Sequence, residues 1–185
     1  MSIILSRFAY GFATVALALG VSLALSSPRS SAVAQDGSST AGTDSKFAAE
    51  AASGGMAEVK LGQLAQQRGS SPSVKSFGER MVNDHEKAAE ELKSVARQQG
   101  IALPAGLNHK DQATYDRLAK LQGNEFDKEY AQLMVKDHEE DIAEFAKEAS
   151  GGTNEALKSF ASQTLPTLKN HLQLAKEMAR SVSTS

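Results

Sequence analysis

Cysteine and tryptophan are absent from the 185 residues, and proline occurs only four times. Without cysteine there can be no disulfide, no iron–sulfur cluster, no thiolate zinc site and no lipid-modified N-terminal cysteine. Rings are also scarce, with seven phenylalanines and three tyrosines. The core must therefore be built mainly from Ala, Leu, Val and Met, a composition that suits packed helices better than sheets. A surplus of positive charge is missing too: the formal net charge is −2. That removes the basic face that a nucleic-acid partner requires. One domain with accessories fits the length.

What is present begins with an address. Arg7 is the one charge before an uncharged run from Phe8 to Leu25, and Ala32-Val33-Ala34 follows a Ser/Pro stretch. Small residues at those two positions are what a signal peptidase reads. Residues 1–34 are thus expected to be a signal peptide, with an exported, periplasmic or envelope-associated chain starting at Gln35. The alternative is a retained anchor, since about 18 apolar residues lies at the lower limit of a spanning helix. No later run approaches that length, so no transmembrane segment is expected in the mature chain. Without Arg7 and Arg29 it carries 18 basic against 22 acidic residues. Residues 35–43, rich in Ser, Gly and Thr, read as a flexible tether, and 182–185 as a disordered tail.

Between them, residues 44–181 keep a helical period. The first helix is expected from Asp44, as N-cap, to Arg68, with Gly69 as its stop. The second opens at Ser71-Pro72 and ends before Gly100. A long connection with Pro104 and Gly106 carries a short helix near 111–121. The third helix spans about 125–149, stopped by Gly151-Gly152, and the fourth starts at a Thr153 or Asn154 cap. The pattern predicts an all-α, antiparallel four-helix bundle with a long connection between helices 2 and 3. It also repeats: Ser73-Val-Lys-Ser-Phe77 matches Ala156-Leu-Lys-Ser-Phe160 at an offset of 83 residues, as do Val59 and Ile142.

A second echo carries chemistry. Met81-Val-Asn-Asp-His85-Glu86 and Met134-Val-Lys-Asp-His138-Glu139 share one form, 53 residues apart. Both histidines lie four residues beyond an apolar methionine, on the inward stripe of their helices. His171 sits on the corresponding stripe of the fourth helix, while His109 falls in the connection. Three imidazoles at similar depth suit a metal ion inside the bundle: zinc, copper, iron or manganese. Glu58 is a candidate ligand from the first helix, about 60° off its apolar centre and so expected at the boundary. Asp141, one turn beyond His138, is another. Asp84 and Asp137 are better placed to support the histidines than to bind. No Glu-x-x-His precedes any of the three, which argues against a di-iron centre. The plain structural reading is that all three are neutral, hydrogen-bonded core residues. The run Glu139, Glu140, Asp141, Glu144 reads as a solvated face, and Pro166 is expected to bend the fourth helix. Gly54-Gly55 could leave room opposite His85.

The stretch Gly54 to Gly62, the Phe77…Met-Val-x-Asp-His85 block, Phe126-Asp127…Tyr130…Met-Val-x-Asp-His138-Glu139 and Leu165-Pro…His171-Leu…Ala175 together resemble domain-of-unknown-function family 4142 (DUF4142). The resemblance runs from about Phe47 to Met178. It implies a ferritin-like bundle in an exported bacterial protein, of a kind labelled outer-membrane, although amphipathic helices do not form a transmembrane β-barrel. The Met-Val-x-Asp-His blocks are also loosely similar to the Met-x-x-His-His motif of the exported, metal-linked family 305, with Asp84 and Asp137 where its first histidine stands. The expected function is a non-catalytic periplasmic bundle binding a partner or a metal, the metal through His85, His138, His171 and Glu58 or Asp141. A metal-dependent redox or hydrolytic enzyme at the same site, with Tyr130 as accessory group, is the alternative. A purely structural or interaction protein is the third reading. No pattern identifies a protein partner.

Overall fold

The computed structural model describes residues 37–184, so the expected signal peptide lies outside the described residues. Among the described residues there are five helices and no strand: α1 Gly37–Arg68, α2 Pro72–Gln99, α3 His109–Leu118, α4 Gly123–Gly151 and α5 Glu155–Ser183. Among those residues no helix is long and apolar enough to cross a membrane.

The local chemistry explains most of the boundaries. Gly100 ends α2 in the left-handed conformation at φ 66°, where its N–H reaches back to the Ala96 and Arg97 carbonyls. Asn154 opens α5 by accepting the Ala156 and Leu157 N–H groups. The start of α1 differs from expectation. It begins at Gly37, well before Asp44, through a stretch without proline, so most of the expected tether is helical. The expected tail likewise belongs to α5 as far as Ser183. That helix runs on through Pro166.

Asp44 does not cap its own helix because it is used elsewhere. Its carboxylate accepts the Thr153 and Asn154 N–H groups and the Thr153 hydroxyl, all in the α4–α5 link. Asp127 on α4 does the same for the α1–α2 link, accepting Ser70 N–H, Ser71 N–H at 2.8 Å and the Ser70 hydroxyl at 2.6 Å. Asp44 and Asp127 are 83 residues apart, as are Ser70 and Thr153. The offset seen as a five-residue echo is therefore a pair of equivalent clamps, each hairpin holding the other's turn.

The long helices pack α1 on α2 and α4 on α5, and the two pairs meet through α2–α5 and α1–α4. α1 and α2 approach closely where Gly62 faces Gly78; a Cβ on Gly62 would stand 2.6 Å from the Gly78 carbonyl oxygen. Two apolar clusters result. One contains Leu61, Phe77, Met81, Phe126, Tyr130, Met134 and Met178; the other Phe47, Leu92, Phe145, Leu157, Phe160 and Leu168. On every long helix a buried ionisable residue falls between its contributions to the two clusters: Glu58, His85, His138 and His171.

Candidate functional site

This polar layer is buried. His138 is 0% exposed, His171 1%, Glu58 6% and His85 7%. Glu58, expected at the boundary, lies inside. It is one turn before Gly62, and the close approach of α1 to α2 at that glycine draws the same face inward. The ring centroids of the three histidines are 5.3–6.0 Å apart. Each offers a nitrogen, all lying within 4.8 Å of one another. A second grouping places Glu58, His138 and Asp141 within the same limit. The structure thus brings His85, His138 and His171 together, with Glu58 beside them and Asp141 on the Glu58 side.

The hydrogen-bond partners fix which nitrogen carries a proton. His138 Nδ1 lies 2.9 Å from the Met134 carbonyl, which can only accept, so Nδ1 donates and Nε2 is left with a lone pair. His171 Nε2 donates to Asp84 at 2.8 Å, leaving its Nδ1 bare. Those two bare nitrogens face each other at 3.4 Å. Glu58 Oε1, another acceptor, stands 3.5 Å from His138 Nε2 and has no hydrogen-bond partner. Burial, before any charge effect, pushes His138 below its ordinary pKa and His171 down to about 4. Both rings are neutral near pH 7, and lone pairs converge without a proton between them.

His85 differs. Burial disfavours its cation, but the Glu58 carboxylate, 2.9 Å from Nδ1, outweighs that and raises its pKa. Burial would also raise Glu58; the opposing attraction of His85, joined by His138 and His171, brings it down to about 2. Glu58 and His85 form an ion pair, and His85 Nε2 has no partner.

Residues 28–178 match a family described as "Domain of unknown function (DUF4142)". The chain belongs to the DUF4142 family. No curated protein matches it. In fold it is similar to a solved structure, the "Crystal structure of DUF305 fragment from Deinococcus radiodurans". The similarity has a TM-score of 0.65 at 12% identity, covering 75% of this chain and 96% of that one. At that identity the likeness speaks for the helical fold alone.

Around the centre of this DUF4142 domain the acidic residues divide. Asp84 supports a histidine, but one on α5 rather than its own neighbour His85. Asp137 lines an opening of about 180 Å³ together with Lys110, Arg117 and Lys136. Burial, then the Glu58 charge, raises its carboxyl to about 6. The reading of a solvated acidic face holds for Glu139 and Glu140, which are exposed, and fails for Asp141 and Glu144. Asp141 lies beside His138 on α4 and Glu144 one turn further on, and both line a cavity shared with α1. Burial and neighbouring carboxylates raise Asp141 well above its ordinary value and Glu144 to about 7.

A Cβ at Gly54 or Gly55 would meet nothing within 4 Å, and both glycines line a cavity of about 40 Å³ that touches Glu58 and His85. Tyr130 is fully buried, stacked on Phe126 at 5.5 Å, and lines neither cavity. Its hydroxyl has no partner. His109 is exposed at the start of α3.

Proposed function

We propose that this DUF4142 protein is an exported, ferritin-like antiparallel four-helix bundle that binds one transition-metal ion without catalysing a reaction. The donors are His138 Nε2, His171 Nδ1 and the free nitrogen of His85, with Glu58 Oε1 beside them. Asp141 stands as a further carboxylate on the Glu58 side. One observation carries the reading: two neutral imidazoles and a carboxylate aim lone pairs at one another, their protons held outward by Met134 and Asp84. A core built only for packing would place a donor between such acceptors, because each unmade buried hydrogen bond costs roughly 1–3 kcal/mol. A cation satisfies all of them. A tetrahedral ion about 2.1 Å from each donor sets donor separations near about 3.4 Å, which agrees with the 3.4 and 3.5 Å found here. Outward partners that fix the tautomer are the usual support of metal-bound histidine.

Imidazole with carboxylate suits zinc, copper, iron or manganese. The Glu58 carboxylate favours a proton on His85, so an entering ion competes with that proton. Export rests on the pattern of residues 1–34, and a periplasmic or envelope location follows from it.

Metal analysis after loading and dialysis with each of the four metals tests the reading. The expected result is close to one ion per chain for at least one metal, lost in His85→Ala/His138→Ala. Occupancy below about 0.1 for all four would leave the histidines as packing residues, since a preformed site of this kind should retain its ion.

A further inference from the structure

The metal reading raises a question of access, because His138 and His171 are sealed from solvent. α1 carries Glu50, Gly54 and Glu58 at four-residue steps, so all three share one face. α4 packs against α1 and turns Asp141 and Glu144 towards it. The 40 Å³ cavity joins these residues, with Glu50 and Glu144 at one end and Glu58 with His85 at the other. At its outer end Glu144 Oε1 is buried without a hydrogen-bond partner. Its inner end holds two unpartnered acceptor or donor atoms, Glu58 Oε1 and His85 Nε2, on side chains more than nine-tenths buried.

We propose that the α1–α4 seam, from Glu50 and Glu144 past Gly54 to Asp141 and Glu58, is the route by which a divalent cation reaches the histidines. This rests on the metal reading above. A desolvating cation needs replacement oxygen ligands at each step, and carboxylates spaced along a narrow seam supply them. Above about pH 7, where Glu144 ionises, the seam also gains negative potential, which raises the capture rate of a cation. No lysine or arginine lines this cavity, and the one ion pair at its mouth, Lys46–Glu50 at 3.2 Å, joins exposed and readily parted side chains. The other opening that reaches Glu58 mixes its carboxylates, Asp111, Asp137, Glu140 and Asp141, with Lys110, Arg117 and Lys136, three cations that the seam cavity lacks. Gly54 lines both cavities, and a Cβ there would meet nothing within 4 Å, so a larger side chain has room to occupy the passage.

Stopped-flow uptake of cobalt(II), followed through its visible absorption, tests the route in the full-length folded protein. Glu50→Gln/Glu144→Gln should slow uptake about ten-fold, and Gly54→Leu should slow it further. Both should reach the wild-type final spectrum and stoichiometry, because no ligand in the histidine cluster is altered. Lys136→Gln, at the other opening, should leave the rate unchanged. Equal rates in wild type, the double variant and the plugged variant would overturn the route while leaving the metal site standing. A Lys136→Gln effect larger than that of the seam variants would overturn it too, by assigning entry to the other opening. Absence of any cobalt(II) or zinc uptake by the wild type would remove the site and the route together.

Discussion

Replacing Asp84 with alanine separates metal affinity from stability. Asp84 holds the Nε2 proton of His171 at 2.8 Å and so keeps Nδ1 bare towards His138. Hydrogen bonds to charged groups contribute about 1.5–3 kcal/mol. The Asp84 side chain is 37% exposed, which places this one at the lower end of that range. Without it, His171 can move its proton to Nδ1 and donate to His138 Nε2. The metal-free protein then exchanges one hydrogen bond for another and removes a repulsive contact. Its melting temperature should change by less than about 3 °C, corresponding to under about 1 kcal/mol in a domain of this size. Metal binding must reverse that proton shift, so affinity should fall roughly ten-fold, about 1.4 kcal/mol. Competition titration against a chromogenic chelator measures the affinity, calorimetry the melting point, and histidine ¹⁵N shifts the tautomer. An affinity equal to wild type, or a loss of metal-free stability as large as the loss of affinity, would refute the tautomer argument.

Two other outcomes follow from the fold. Asp127→Ala and Asp44→Ala each leave two link N–H groups and a hydroxyl without their acceptor. Each should cost about 3 kcal/mol, read as roughly 10 °C in melting temperature; a cost below about 0.5 kcal/mol for either would contradict the equivalence of the clamps. Glu144, its carboxyl raised to about 7 by burial and by Glu50, is ionised at a penalty above that pH. A raised acid makes the native state bind the proton more tightly, so its ionisation removes stability between about pH 4.5 and 7. Glu144→Gln should therefore stabilise the protein by about 1–2 kcal/mol at pH 8, discounted for partial solvent contact, and by little at pH 5. Equal melting shifts at the two pH values would speak against it.

Much of the architecture was legible because helix punctuation is local. Pro72, Gly100 and Asn154 act through their own backbone or the next few residues, and their helices begin or end there. The histidine stripe was legible for the same reason, each ring being a fixed number of turns from a methionine. Asp44 and Asp127 were not, because a carboxylate that holds a turn more than fifty residues away leaves no local mark. Their shared 83-residue offset was the one available signal. Glu58 was misplaced because a helical wheel centred on Leu61 gives no weight to Gly62, whose lack of a side chain is what brings the neighbouring helix close. Asp141 and Glu144 were misjudged by charge. The spacing of Asp141 from His138 already put it beside that face, but carboxylates withdrawn from water are uncommon enough that solvent was the simpler assignment.

The exchanged clamps bear on how this architecture could arise. A single hairpin carrying both halves of the interaction, an aspartate near its first helix start and a Gly-Ser/Thr turn, has no acceptor of its own within reach of that turn. Two copies associating about a two-fold axis would complete both contacts at once, by symmetry and without new chemistry. Fusing such copies through a crossover would yield this connectivity, after which the interior could lose its symmetry. The relation survives at Glu58 and Asp141, which stand 83 residues apart, and is lost at the three imidazoles, none of which has a counterpart at that offset.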